Sequence, residues 1–298
     1  MARVLISTPM LEGCLEALSG HELVEGAPGS DREAVALICA PTQPVSAEAL
    51  DAMGVLRVVA VAGAGSDAVD TEAAVARGIE VLTAGEALVE TTADLAFGLI
   101  IAAARLMHDT EATLREGRWE GWRFDETFGI DIHGSTLGLV GFGAIGQAVA
   151  RRAAGFSIEV LHHTRHPTGV PGWREDLDEL LAVSDIVSVH VPLSNSTRGL
   201  IDRRRIGLMK DTAVFVNTAR GAVVDEAALA EALEDGRLLA AGLDVYEGEP
   251  DVSAGLLAAP RTVLLPHVGS ATMRTRRAML RLAAERVDDY LRRHGSDA

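Results

Sequence analysis

Six residues, Gly141-Phe142-Gly143-Ala144-Ile145-Gly146, constrain this chain more than any other segment. Thr136–Val140 before them reads as a strand, and Gln147–Ala154 after them reads as a helix. In a chain with 30 glycines the bare spacing is weak, and the strand and helix on either side give it meaning. A glycine turn between a strand and a helix is the dinucleotide fingerprint of parallel α/β sheets. Gly141 permits the tight turn, Gly143 lets backbone approach a pyrophosphate, and Gly146 allows close helix–strand packing. The helix start then offers open N–H groups and a partial positive charge to phosphates.

The rest of the chain repeats this alternation, the mark of α/β architecture. The first third holds strand-like runs at Val4–Ser7, Val35–Cys39, Arg57–Val61 and Ile79–Leu82, with helical stretches at Ser46–Met53 and Thr71–Arg77. Glu90–Leu106 reads as a long, buried helix, followed by a loop, Gly117–Trp122, bearing two tryptophans. A second series of strands begins at Thr136–Val140 and continues at Ile158–His163, Ile186–His190, Ala213–Asn217, Gly242–Val245 and Thr262–Leu265. Helical patterns at Ala144–Ala154, Leu177–Ala182 and Asp225–Leu233 lie between them, and Asp225 is placed to cap the last. Met279, Leu282, Ala283, Val287, Tyr290 and Leu291 recur at helical spacing near the end. The pattern predicts two α/β units joined by long helices.

Composition narrows the class of partner. The 298 residues carry 27 Lys+Arg against 43 Asp+Glu, a net charge of −16, which argues against a nucleic-acid surface. An anionic ligand must therefore be held by local cations and backbone N–H groups. No apolar run reaches the roughly 18 uncharged residues of a membrane span, and Met1–Ile6 reads as a first strand rather than a leader. Cys14 and Cys39 show no metal spacing, so free buried thiols, a cytoplasmic setting and no bound metal are expected.

Past the glycine motif, the strand ending at His163 runs into Thr164 and Arg165. A site selective for NAD usually has an acidic residue about 20 positions after the motif, on the ribose 2′-hydroxyl. Thr164 and Arg165 stand there instead, so NADP(H) is favoured over NAD(H), against the bland reading of a surface arginine. His162, His163 and His166 could suggest a metal, but neighbours on a strand face opposite ways, and a solvated strand end is the expectation.

Three further segments each put a chemically apt residue after a β-run, where α/β sheets bind ligands. They are Val216-Asn217-Thr218-Ala219-Arg220-Gly221, Gly242–Pro250 and Leu264–Thr272. With Leu180–Leu193 and Met209–Glu226, they make nearly the whole chain resemble the D-isomer-specific 2-hydroxyacid dehydrogenase family. The resemblance implies two Rossmann-like parallel-sheet domains. A nucleotide-binding domain, residues 93–267, is inserted into a smaller flavodoxin-like substrate domain of residues 1–92 plus 268–298, with the active site in the cleft. It also implies a homodimer formed largely through the nucleotide domains, with no nucleic acid or membrane as partner.

The family's catalytic Arg, Glu and His fall on Arg220, Glu249 and His267. The guanidinium suits the carboxylate and carbonyl of a 2-keto acid, and a protonated His267 can give its proton to the carbonyl oxygen as hydride arrives. Glu249 would orient the imidazole and favour its charged form. Other positions carry over: Ala64 and Gly65 as substrate-binding amides, and Ala144 and Ile145 against the pyrophosphate. Val191 and Pro192 flank the adenine, Asp244 falls near the nicotinamide amide, and Thr218, Ala219 and Gly269 are further cofactor-binding positions.

Within the family, Glu90–Ala96, Gly117–Trp122 and Pro266–Thr272 are similar to glyoxylate/hydroxypyruvate reductases. In that subgroup Trp122 either reaches a neighbouring subunit's active site or packs the dimer interface, and the sequence leaves both open. The family's usual Asn-Thr-Pro-Gly turn is replaced here by Thr83-Ala84-Gly85-Glu86, and Ala68 replaces a common Asn. Both departures lie in the substrate domain and bear on substrate identity. The rival reading is a nicotinamide-responsive co-regulator of the same fold that keeps all three residues; among enzymes, D-lactate, phosphoglycerate, formate and phosphite dehydrogenases are the neighbours. The absence of a further regulatory domain after the last helix weighs against the allosteric phosphoglycerate version.

Overall fold

A computed structural model describes residues 1–295 and divides them into two compact units, residues 1–91 with 270–295, and residues 92–269. In the first unit, β1 (Arg3–Ser7), β2 (Glu22–Glu25), β3 (Ala36–Cys39), β4 (Val58–Val61) and β5 (Glu80–Thr83) form one sheet in the order β2-β1-β3-β4-β5. Every pairing is parallel. This is the flavodoxin-like order, which reverses direction between β1 and β3. β3 and β4 are buried along their whole length, as expected of strands covered on both faces. The short helices α1 (Ala47–Ala52) and α2 (Thr71–Ala76) start where Ser46 and Asp70 accept the N–H groups of Ala49 and Ala73. Leu5, Leu37, Leu50, Met53, Val59 and Val61 meet in the core of this unit. Cys14 and Cys39 are buried free thiols, and burial pushes the Cys39 thiol up to about 12.

α3 (Val89–Ala104) leads the chain out of the first unit, and α4 (Met107–Arg115) follows. By length and composition Gly85–Ala104 could cross a membrane, but half of that stretch is buried in the protein, as a core helix requires.

The second unit is then built from β6 (Thr136–Val140), α5 (Ala144–Ala154), β7 (Glu159–His163), β8 (Trp173–Arg174), α6 (Leu177–Val183) and β9 (Ile186–Val189). It continues through α7 (Arg203–Ile206), β10 (Val214–Asn217), α8 (Glu226–Glu234), β11 (Ala240–Leu243), α9 (Ala254–Ala258) and β12 (Thr262–Leu264). Seven strands run in the order β12-β11-β10-β9-β6-β7-β8, all parallel. That is the doubly wound order, and its switch point, where ligands bind, falls between β6 and β9. Phe215, Leu180, Leu181, Val187, Leu229 and Leu233 centre its core. The chain ends in α10 (Met273–His294), which packs against β4 in the first unit.

The two-sheet α/β class is as the sequence led us to expect. Several boundaries are not. β2, β8 and α4 lack a strong apolar pattern, since β2 is Glu-Leu-Val-Glu and β8 has two residues, so local sequence did not announce them. β11 lies two residues earlier than expected because Ala240 and Ala241, poor strand formers, are held by ladders to β10 and β12. Asp244 therefore stands just past the strand, in the loop.

Candidate active site

The glycine turn adopts the geometry its residues require. Gly141 has φ +100°, and a Cβ there would strike the backbone of His190. A Cβ on Gly146 would strike the carbonyl of Gly141. Gly143 faces open space and caps α5 without a side chain. By contrast, α1, α2, α6, α7, α8, α9 and α10 are each capped by a Ser, Thr or Asp oxygen. Hence the N–H groups of Ala144 and Ile145 remain available to an anion. Val191 and Pro192 follow β9 beside this turn, and a Cβ on Gly141 would also crowd Val191.

At the end of β7, Thr164 donates its hydroxyl to the His166 carbonyl at 2.7 Å. Arg165 is exposed. His162 corrects the sequence expectation of a solvated strand end: it is 0% exposed and stacks on Phe142 with ring centroids 3.8 Å apart.

The remaining residues converge from the carboxyl ends of three adjacent strands, β10, β11 and β12. After β10, the Asn217 side chain accepts the N–H of Ala219 and donates to the carbonyl of Arg220, both at 2.9 Å. This closes a turn that sets Arg220 in extended backbone. Gly221 follows, and a Cβ there would overlap the backbone of Tyr246 and Glu247. Thr218 is buried, and its hydroxyl has no partner among the described residues. A buried orphan hydroxyl next to Ala219 and Arg220 suits a polar ligand group.

After β11, Asp244 donates its N–H to the Asn217 carbonyl at 3.0 Å and accepts that of His267 at 2.9 Å. Its carboxylate accepts the N–H groups of Val268 and Gly269, both at 2.8 Å. Burial pushes the Asp244 carboxyl up, while those two N–H bonds pull it back. Tyr246 donates its hydroxyl to the Leu265 carbonyl at 3.0 Å, and burial raises it to about 12. Glu249 accepts the Tyr246 N–H with Oε1 at 3.0 Å and meets His267 Nδ1 with Oε2 at 2.7 Å. His267 itself has φ +52°, the left-handed region that few non-glycine residues enter. Its side chain is 31% exposed and that of Glu249 26%, so the pair is sheltered yet open to a small molecule. The other imidazole nitrogen, Nε2, is left to act on a substrate.

The sequence missed Glu226, whose carboxylate accepts the Glu247 N–H at 2.6 Å and so ties α8 to the Glu249 loop. Burial, with Glu247 and Glu249 nearby, raises its pKa. Nothing in local sequence marks such a contact. Ala64 and Gly65, after β4 in the other unit, donate to no backbone carbonyl among the described residues. A Cβ on Gly63 would crowd Pro41, and one on Gly85 would crowd Ala64.

Residues 97–269 match the family described as D-isomer specific 2-hydroxyacid dehydrogenase, NAD binding domain. The chain belongs to that family. It is therefore an oxidoreductase, and its second unit is of the nicotinamide-dinucleotide-binding kind. It is 40% identical to a glyoxylate reductase of Thermococcus litoralis over 86% of this chain and 80% of that one. A hydroxypyruvate reductase of Thermotoga maritima is 37% identical, over 98% of this chain and 94% of its own. Among solved structures, an NADPH-dependent glyoxylate/hydroxypyruvate reductase from Sinorhizobium meliloti, in complex with NADP and malonate, superimposes with TM-score 0.89 at 34% identity. That match covers 97% of this chain and 93% of the other.

Proposed function

We propose that this dehydrogenase reduces small 2-keto acids of the glyoxylate and hydroxypyruvate kind to D-2-hydroxy acids, with NADPH preferred to NADH. The Glu249–His267 pair at 2.7 Å, at the same strand-end edge of the sheet as Arg220, is the observation on which this reading rests. When bound, the reduced nicotinamide supplies hydride.

The protein's own residues do the rest. Arg220 binds the substrate's carboxylate and carbonyl and draws charge toward the oxygen. His267, its Nδ1–H held by Glu249, gives the Nε2 proton to that oxygen as charge develops. In oxidation the same nitrogen takes the proton back. Ala64 and Gly65 are assigned the substrate carboxylate through their amides. Gly141, Gly143, Ala144, Ile145 and Gly146 hold the pyrophosphate, and Val191 and Pro192 flank the adenine. Thr218, Ala219, Asp244 and Gly269 border the nicotinamide. NADPH selectivity is supported by the exposed cation of Arg165 where an acidic residue would otherwise read the ribose.

Residues 1–92 with 268–298 serve as the substrate domain and 93–267 as the dinucleotide domain. A cytoplasmic homodimer completes the reading. The dimer is supported by the aromatic loop, in which Trp119, Trp122, Phe124 and Phe128 are 62%, 79%, 85% and 69% exposed, large apolar side chains of the kind an interface covers.

A spectrophotometric panel tests the proposal. NADPH and NADH are each paired with glyoxylate, hydroxypyruvate, pyruvate, phenylpyruvate and 2-ketoisocaproate. Turnover should be fastest with NADPH and the two smallest polar acids. Folded protein that binds cofactor but turns over none would support a nicotinamide-responsive binding protein instead, and NADH ahead of NADPH by tenfold in kcat/KM would overturn the cofactor choice.

A further inference from the structure

The reduction uses Arg220, Glu249 and His267, but a second, wholly buried imidazole lies behind the glycine turn. His162 is the next-to-last residue of β7, and its ring stacks on Phe142 with 19° between the planes. Its Nε2 is 2.8 Å from the Thr168 hydroxyl, which also accepts the Val170 N–H at 3.2 Å. With Thr164 donating to the His166 carbonyl, these bonds fold residues 164–170 back on the strand end. The same strand end accepts the Gly141 N–H through the His163 carbonyl at 3.0 Å. One side chain thus touches both the turn that faces a pyrophosphate and the segment that bears Thr164 and Arg165.

The ring's protonation fits such a task. Among the described residues His162 Nδ1 has no partner, nor has the indole nitrogen of Trp173, its register partner on β8. Register partners stand about 4.8 Å apart on one face of a sheet. The hydrogen between Nε2 and the Thr168 hydroxyl belongs to one or the other, and either way the two groups are bonded. Burial, then Arg174, lowers the pKa of this imidazole and disfavours its charged form.

We propose that His162 is a positioning residue for cofactor selectivity. Through Thr168 it fixes the 164–170 segment so that Thr164 and Arg165 face the adenosine ribose, and through Phe142 it locks that segment to the glycine turn. The inference rests on the reading of Arg165 as the partner of a 2′-phosphate. It goes further by naming a residue that never touches the cofactor yet sets the choice between the two.

The test compares His162→Phe, which keeps an aromatic stack but cannot bond Thr168, with Thr168→Val, which removes the same bond from the loop side. Dissociation constants are measured calorimetrically for NADPH, NADH, 2′,5′-ADP and 5′-AMP. Each variant should bind NADPH and 2′,5′-ADP at least fivefold more weakly, while NADH and 5′-AMP change less than twofold. The double variant should be no weaker than either single one, and kcat at saturating NADPH should stay within twofold. His162→Gln, whose amide can reach Thr168, should recover part of the NADPH affinity. Equal weakening of all four ligands would make His162 a mere packing residue and overturn the proposal. Wild-type selectivity for the 2′-phosphate that survives both substitutions overturns it alone. Wild-type protein that binds 2′,5′-ADP no more tightly than 5′-AMP overturns the Arg165 reading as well.

Discussion

Asp244 Oδ2 accepts the backbone N–H of Gly269 at 2.8 Å, so a loop-end carboxylate of β11 fastens the chain that follows β12. Its Oδ1 takes the N–H of Val268, and its carbonyl takes that of His267. Three acceptors from one residue therefore hold His267 in a left-handed conformation, whose cost is on the order of 1–3 kcal/mol. Asp244→Asn should break this clamp. An amide NH2 would face a backbone N–H, leaving donor against donor at a site only 1% exposed, a loss of about 1–3 kcal/mol. Steady-state kinetics should show kcat at least about tenfold lower, and thermal unfolding a midpoint lowered by several degrees. A variant with full kcat would show that something else keeps His267 in place.

How much of this was legible beforehand follows from what is local. The glycine turn, the switch from strand to helix around it, and Asp225 as the cap of α8, accepting from Ala228 at 2.9 Å, depend on neighbours in sequence. Arg220, Glu249 and His267 each follow a β-run at the ligand end of a sheet, but only the resemblance to a known family singled them out together. The Asp244 clamp, the Glu226 bond to Glu247 and the His162 stack join segments 21 or more residues apart or depend on how two loops face each other. No period or propensity encodes that. His162 was misjudged for the same reason: strand alternation told which face it takes but not that Phe142 covers that face.

Glu249 has both oxygens engaged, one by the Tyr246 N–H and one by His267 Nδ1. Glu249→Gln can satisfy only one of these as an acceptor. If the amide oxygen stays on Tyr246, its NH2 opposes Nδ1–H and the imidazole loses its orientation. A hydrogen bond involving a charged group contributes about 1.5–3 kcal/mol, so kcat should drop by roughly 10- to 100-fold with little change in Tm. Parallel losses in stability and rate would instead assign Glu249 to holding the loop together.

Gly221 tests whether close approach of two loops assembles the site. Its missing side chain lets the Arg220 turn lie directly on the backbone of Tyr246 and Glu247. Gly221→Ala has no flexible neighbour to push aside, because the opposing atoms are main chain. Overpacking of this kind costs about 1–3 kcal/mol or more. The Arg220 and Glu249 segments should separate, so KM for the keto acid should rise and kcat fall together. Kinetics on the soluble, folded variant, with circular dichroism as the check on folding, would read both. Unchanged KM would mean the two loops tolerate separation.

His190 should give the protein an acid-sensitive stability that has nothing to do with the catalytic imidazole. The residue is partly exposed, but its ring, with Nε2 2.9 Å from the buried Ser188 hydroxyl, is desolvated, and burial lowers its pKa to about 4. In the unfolded chain the same ring takes a proton near its ordinary value of 6.5. Between those two values the unfolded state binds the extra proton and the folded state does not. This contribution to stability is therefore complete above about pH 6.5 and is lost as pH falls toward 4, at up to ~1.4 kcal/mol per pH unit. His190→Gln, which keeps a hydrogen-bonding group beside Ser188 without a titrating ring, should unfold with a flatter dependence across that window and a parallel one above it. Urea titrations of both proteins at half-unit steps from pH 4.5 to 8 would measure the difference. Curves that stay parallel throughout would show that His190 is protonated in the folded protein, and that the ring is less sheltered than its partner Ser188.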